Sequence, residues 1–294
     1  MKKLIAGAAV IAALAVASSA NAADIARPVY KAAPAPVVYN WAGFYIGANA
    51  GYTWSNSNGI NSTSAAGPCD PASGGGCTAT PNYSTLFALG ATGNVDGRLS
   101  GFIGGGQIGY NWQVQNWVWG IEADIQWISG GDKGGAFSVV VPSPAFPTAP
   151  VNTTFTGSRS LDYLGTVRGR VGFLSTPQAL IYATGGLAYG QAKLNGAYTA
   201  NCVTCVWRQQ PNGAFSASDT RFGWTLGGGV EWLVASNWTF KAEYLYYDLG
   251  DLSVSGRIIG TNPLTGSLFA SHFPNIESRF DGHIVRAGLN YKFN

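Results

Sequence analysis

Three groups of residues in this chain have the chemistry to form a site: two histidines, four cysteines, and a set of charges spaced at every second position. His272 and His283 are the general-base candidates. Ser278, Glu277 and Asp281 lie near His283 in sequence, a combination suited to lipid-modifying catalysis at the outer leaflet of a membrane. No nucleophile signature surrounds Ser278, and closeness in sequence is not triad geometry. His283 is therefore expected to be a solvated rim histidine. No catalytic residue is assigned, and the chain is read as a non-enzyme without cofactor or metal. Cys69, Cys77, Cys202 and Cys205 form an even set, which in an exported chain implies disulfides. Four cysteines allow three connectivities, and the two local pairs, Cys69 with Cys77 and Cys202 with Cys205, are favoured. Cys202-x-x-Cys205 has no thioredoxin-like βαβ pattern around it and no nearby histidine cluster for zinc. Gly104-x-Gly106-x-x-Gly109 matches the dinucleotide fingerprint as a string. It opens no helix, so these are expected to be glycines that let a strand curve.

The charges say more. Glu122, Asp124, Asp162, Glu231 and Glu243, with Arg168, Arg170, Lys241, Arg286 and Lys292, all fall on the polar face of alternating segments. Their alternation is the signature of a strand with one apolar and one polar face. Eight such segments are predicted: Trp41–Trp54, about Arg98–Trp112, Trp117–Ile128, Arg159–Phe173, Ala179 to about Lys193, Thr220–Val234, Asn237–Leu249 and Phe280–Asn294. In the third, Trp117, Trp119, Ile121, Ala123, Ile125 and Trp127 face one way while Glu122, Asp124 and Gln126 face the other. In the fourth, Leu161, Tyr163 and Val167 are expected outward and Asp162, Thr166, Arg168 and Arg170 inward. The connections alternate as well. Tight turns lie near Asn116, at Ser175–Gln178 and at Ala235–Ser236, between long Gly-, Ser-, Asn- and Pro-rich stretches at Ser55–Gly97, Ser129–Ser158, Gln191–Asp219 and Gly250–Ser278.

An apolar strand face without cover is an aggregation hazard, and a closed membrane barrel removes it by turning that face to lipid. The predicted fold is all-β: an eight-stranded antiparallel up-and-down transmembrane barrel at 41–294, with four long extracellular loops. Composition agrees, with 11% charged residues, 41 glycines and 13% aromatics, against about 25% charged residues in a soluble domain. The start of the chain, MKKLIAGAAVIAALAVASSANA, has a basic n-region, an apolar run and an Ala20-Asn21-Ala22 cleavage site, so residues 1–22 are expected to be a signal peptide. Residues 23–40, with Pro28, Pro34 and Pro36, are expected to be a periplasmic lead-in. Removing Lys2 and Lys3 leaves 15 Lys+Arg against 14 Asp+Glu, a net charge of about +1 that offers nothing to nucleic acid.

The ending Arg286-x-Gly288-x-x-Tyr291-x-Phe293 resembles the C-terminal signal of outer-membrane barrels, except that Asn294 follows the final aromatic. It implies the barrel-assembly machinery and periplasmic chaperones as partners during biogenesis. The leader, the lead-in ADIARPVYKAAPAPVVYNWAGFYIGANAGYTW, the LGTVRGRVGF strand and the VRAGLNYKF ending resemble the outer-membrane immunogenic proteins of alphaproteobacteria. These are OmpA-like barrels without a periplasmic peptidoglycan-binding domain. The resemblance covers the strands and both ends but not the four long loops. It implies a major surface protein and antigen. Some members are reported to bind haem or to form small pores, but no residue motif carries either activity here.

Three functional expectations follow. The lumen charges are expected to pair, because an eight-stranded barrel is only wide enough for side chains to fill and unpaired buried charges are costly. The result is a salt-bridged plug in a structural envelope protein or, alternatively, a small gated pore with Arg168 and Arg170 against Glu122 and Asp124 as its gate. An unknown surface ligand, haem or a host molecule, would engage the loops, where Cys202–Arg208 is the most distinctive stretch. At the outer rim, Asp96 and Arg98, Arg159 and Asp162, Asp219 and Arg221, and Arg279 and Asp281 recur as close pairs. They read either as local ion pairs or, with Arg98, Arg159 and Arg279 pointing to lipid by parity, as clamps for lipopolysaccharide phosphates.

Overall fold

A strand that is greasy on one face and polar on the other survives in a bilayer only when both of its backbone edges are paired. In a computed structural model of the chain, that condition is met by closure. The structure describes residues 40–57, 59–68, 81–130, 132–143, 150–201, 211–261 and 268–293. The expected signal peptide, the expected lead-in up to residue 39, all four cysteines and Asn294 lie outside the described residues. In chain order the elements are β1 (Gly43–Ser55), β2 (Gly59–Ala66), α1 (Tyr83–Gly90), β3 (Gly93–Asp96), β4 (Ser100–Val114), β5 (Trp117–Ser129) and β6 (Asp132–Val141). They continue as β7 (Val151–Thr176), β8 (Ala179–Asn201), β9 (Asn212–Ala235), β10 (Trp238–Ser255), β11 (Ile258–Thr261) and β12 (Leu268–Phe293).

Eight strands form the membrane ring in the order β1–β4–β5–β7–β8–β9–β10–β12, and β12 pairs back onto β1 from Phe44↔Phe293 to Ser55↔Gly282. The lipid face carries two aromatic girdles: Phe44, Trp112, Trp117, Trp232 and Trp238 at the periplasmic end, and Trp54, Phe102, Trp127, Phe222 and Trp224 at the outer end, all exposed. Ile46, Ile121, Leu226 and Leu289 fill the band between them, as an apolar wall flanked by interfacial aromatics requires.

The strands do not stop at the outer girdle. The stretches expected to be loops carry strands of their own. β6 pairs with the upper half of β7, β12 with β2, β2 with β3, and β11 bridges β9 and β12. The result is a second storey above the membrane, containing Ile60, Phe155, Leu194, Tyr198, Ile258 and Ile276, each at most 1% exposed. Helix α1 is capped by Asn82, whose side chain accepts from the Thr85 amide at 2.9 Å. Its Tyr83, Leu86 and Phe87 cluster with Val151 and Ala200.

Two irregularities matter for the site. The β7–β8 register shifts between Leu161 and Leu164, and the extra residue reverses the side-chain alternation above it. Leu161, expected on the lipid face, is 2% exposed inside the barrel, and Arg159 follows it inward. The β10–β12 register shifts between Asp248 and Asp251, where Gly250 has φ of +75°, a left-handed turn that favours glycine.

The lumen and rim as a candidate functional site

The site follows from the inward parity of the eight ring strands. Cross-strand register sets Glu122 beside Arg168, Glu243 beside Arg286 and Lys241 beside Glu231. Arg168 reaches three carboxylates: Glu122 at 2.5 Å, Asp124 at 2.8 Å and Glu243 at 3.0 Å. Arg286 lies 2.6 Å from Glu243 and 2.9 Å from Asp124. Lys241 binds Glu122 at 2.8 Å, and Arg170 binds Glu231 at 2.7 Å. Glu122, Asp124, Glu231 and Glu243 thus meet Arg168, Arg170, Lys241 and Arg286 in one connected cluster of balanced formal charge. All eight residues are at most 5% exposed.

Neutral groups, most of them on the remaining strands, take up part of the residual hydrogen-bonding capacity, and among the described residues Asp124 Oδ1 and Arg170 Nε are left without a partner. The Tyr45 hydroxyl of β1 donates to Glu122 at 2.6 Å, and Tyr182 of β8 donates to Glu243 at 2.9 Å. Thr239 and Asn290 donate to Glu231 at 2.6 and 3.0 Å, and Gln107 of β4 donates to Asn290 at 2.5 Å. The Arg170 guanidinium sits 4.9 Å from the Tyr182 ring centroid and 5.4 Å from that of Tyr45, within cation–π range. All eight ring strands therefore contribute to the network. Sequence reasoning missed these partners, although Tyr45 stands on the polar parity of its strand, where an aromatic is the exception. Gly109 also faces inward. A Cβ there would lie 2.7 Å from the Ile121 carbonyl oxygen and against the Tyr45 ring, so the third glycine of the fingerprint-like string makes room for the tyrosine.

The cluster ends abruptly above and below. One inward position toward the outside, Arg286 gives way to Ile284, Glu243 to Leu245 and Thr166 to Leu164, each at most 1% exposed. At the periplasmic end Trp41 is fully buried against the cluster formed by Val118, Leu174 and Leu180, and its indole donates to the Pro177 carbonyl at 3.1 Å.

Two charges expected in the lumen network are not in it. Asp162 sits at the bulge on β7, is 37% exposed, and pairs with Lys193 at 2.5 Å on the outer surface. Lys292 does point inward, but at the periplasmic end. Its ammonium donates to the Asn40 carbonyl and lies 5.7 Å from the Trp41 ring centroid. Among the described residues no carboxylate pairs with it.

The rim also differs from expectation. Arg159 is fully buried rather than lipid-facing, because the bulge turned it inward. It donates to the Gly97 carbonyl at 2.6 Å, the Arg279 carbonyl at 2.8 Å, Ser278 Oγ at 2.9 Å and Ser55 Oγ at 3.0 Å. It ties the first long connection to β12. Arg98 and Arg279 remain exposed at 66% and 50%. Arg98 is 3.9 Å from Asp96, while Arg279 pairs at 2.5 Å with Asp248 instead of Asp281. His283 faces outward, stacked 5.5 Å from Trp54 and with Nδ1 2.7 Å from the Tyr244 hydroxyl. Ser278 faces inward and donates to the Gly59 carbonyl at 3.1 Å, so the two lie on opposite faces of β12 and form no triad. His272, the other histidine, is fully buried in the upper storey, and burial lowers its pKa to about 4. Tyr291 and Phe293 of the C-terminal motif stand on the lipid face while Arg286 and Gly288 point inward.

Residues 8–293 match the family described as the outer membrane protein beta-barrel domain. The chain is 32% identical over 286 residues to a 31 kDa outer-membrane immunogenic protein of Brucella melitensis biotype 1, covering 94% of this chain and 95% of that one. It is 33% identical over 148 residues to a 22 kDa outer membrane protein of Rhizobium leguminosarum bv. viciae, covering 49% and 52% of the two chains. Among solved structures, neisserial surface protein A aligns at 13% identity with a TM-score of 0.29, covering 86% of this chain and 98% of that one. The attachment invasion locus protein of Yersinia pestis aligns at 13% identity with a TM-score of 0.27, covering 85% and 99%. These structural likenesses are slight, and the barrel rests on its own strand pairing.

Proposed function

Because the chain belongs to the outer membrane protein beta-barrel family, and is thus a surface-exposed outer-membrane protein, we propose that its role is structural. It maintains the envelope as a closed barrel and presents the upper storey to the outside; it performs no catalysis. The observation that carries this reading is the balanced lumen cluster, drawn from all eight ring strands and capped by hydrocarbon on one side and Trp41 on the other. A conducting pore needs a continuous water path, and here the charged stretch is bounded at both ends by apolar side chains. The exposed Arg98 and Arg279 suit contact with lipopolysaccharide phosphates, and Tyr291 and Phe293 on the lipid face suit recognition by the assembly machinery.

The test is single-channel recording of the refolded mature protein in planar bilayers beside Arg168→Ala/Arg170→Ala. Wild type is expected to be silent. The double variant is also expected to be silent, because the layers above and below the cluster remain. Steady current from wild type would overturn the structural reading in favour of a pore.

A further inference from the structure

The outward face of β7, β8 and β9 changes character along the strands. Within the lipid band it is apolar, with Val167, Leu187 and Trp224 about half exposed. Just above comes the Asp162–Lys193 ion pair at 2.5 Å, its members 37% and 40% exposed. Higher still, β7 presents Thr154, Thr156, Ser158 and Ser160, and β9 presents Ser216 and Ser218. The rungs are in register across three strands, Ser158 with Asn195 and Asn195 with Ser216, then Ser160 with Lys193 and Lys193 with Ser218. The Asn195 amide donates to Ser158 at 3.3 Å. Between the rungs lies a shallow depression of ≈ 390 Å³, lined by Gly157 and Gly196 and by the short side chains of Ala197 and Ala214.

We propose that this face seats the core saccharide of the lipopolysaccharide molecule standing beside the barrel. The inference rests on the outer-membrane reading above and deepens it. Along one continuous surface the strands present hydrocarbon, then an ion pair, then hydroxyls and amides. An outer-leaflet lipopolysaccharide has acyl chains, then phosphates, then sugar in the same order. Short hydroxyl and amide side chains both donate and accept, and the hydroxyls lose little rotamer freedom when a sugar orders them. The glycine- and alanine-lined depression leaves space for a ring to lie flat. A protein partner would look for a large apolar anchor. The one aromatic at the depression, Phe215, instead packs 5.8 Å from Tyr198 in the interior. A nucleic acid would need more positive charge than Lys193 supplies.

The test introduces Ser158→Cys into the full mature chain, refolded in vesicles containing either lipopolysaccharide with its core saccharide or lipid A alone. The rate at which a hydrophilic maleimide labels that position is followed on the resolved peptide. Labelling is expected to be at least about threefold slower with the saccharide, and adding Asn195→Arg/Ser216→Arg is expected to erase the difference. Should Ser158→Cys fail to fold, Thr156→Cys reports on the same depression. Equal rates in the two vesicle types, in a chain that folds in both, overturn this inference and leave the structural barrel standing. A chain that inserts in neither overturns both.

Discussion

Just below Leu164, Leu245 and Ile284 the ring is filled with charges, and above them it is filled mainly with hydrocarbon, with Arg159 as a buried exception. The same strands build both storeys, so the difference lies in what surrounds each. The lower storey is bathed in lipid. A strand apolar on both faces would have no preferred face, because slipping its register by one residue would change nothing. Charges inside make that slip prohibitive. The upper storey stands in water, where the ordinary arrangement of polar outside and apolar inside is stable. Interior and exterior therefore exchange chemistry at one level of the barrel. The exchange also separates two kinds of stability. The upper core contributes through buried area. The lower cluster contributes mainly specificity, since a buried ion network is weak evidence for net stability while losing one member is severe.

The sharpest way to break this contrast is Glu122→Gln, which leaves Arg168, Lys241, Arg170 and Arg286 facing three carboxylates. The expected loss is about 3–5 kcal/mol, the usual consequence of stranding a buried charge, read as a lower urea midpoint of the refolded barrel in vesicles. An unchanged midpoint would mean the cluster is not acting as one unit.

A second test acts on the upper storey alone. Burial holds His272 at about 4 against an ordinary 6.5. The folded state keeps this side chain neutral, so the stability it confers is complete above about pH 6.5 and is lost as pH falls toward 4. That shift corresponds to roughly 3 kcal/mol. Acidification across this window is expected to speed protease cleavage of β2, β11 and upper β12 while β1 and β5 stay protected. His272→Phe should flatten the dependence; a wild-type profile flat between pH 7 and 4 would contradict it.

The smallest effect is expected at the surface. Arg279→Gln removes an ion pair from a half-exposed side chain and should change the urea midpoint by less than about 1 kcal/mol equivalent. A larger loss would make the rim part of the lower storey's network.

Much of the fold was legible because alternation is local. Trp117 to Ile128 announces its two faces without any partner, and the order of short and long connections dictates the up-and-down path. The inward parity of Glu122, Asp124, Arg168, Arg170, Glu231, Lys241, Glu243 and Arg286 was available the same way. The upper strands were harder to read for a physical reason. In Val151–Ser158 the outward side chains are asparagine, threonine and serine, which match the composition of a loop even though Val151, Thr153 and Phe155 alternate inward.

By itself, the sequence determined which residues share a strand face, how many strands form the ring, and eight of the ten charges it assigned to the lumen cluster. Side-chain period two is a property of the backbone and needs no neighbour. Only the tertiary structure decided that Tyr45 and Tyr182 complete the cluster, that Arg159 is an interior strut, and that Asp162 belongs to the surface. Pairing depends on the stagger between strands, and one extra residue between Leu161 and Leu164 reverses every assignment above it without leaving a local trace.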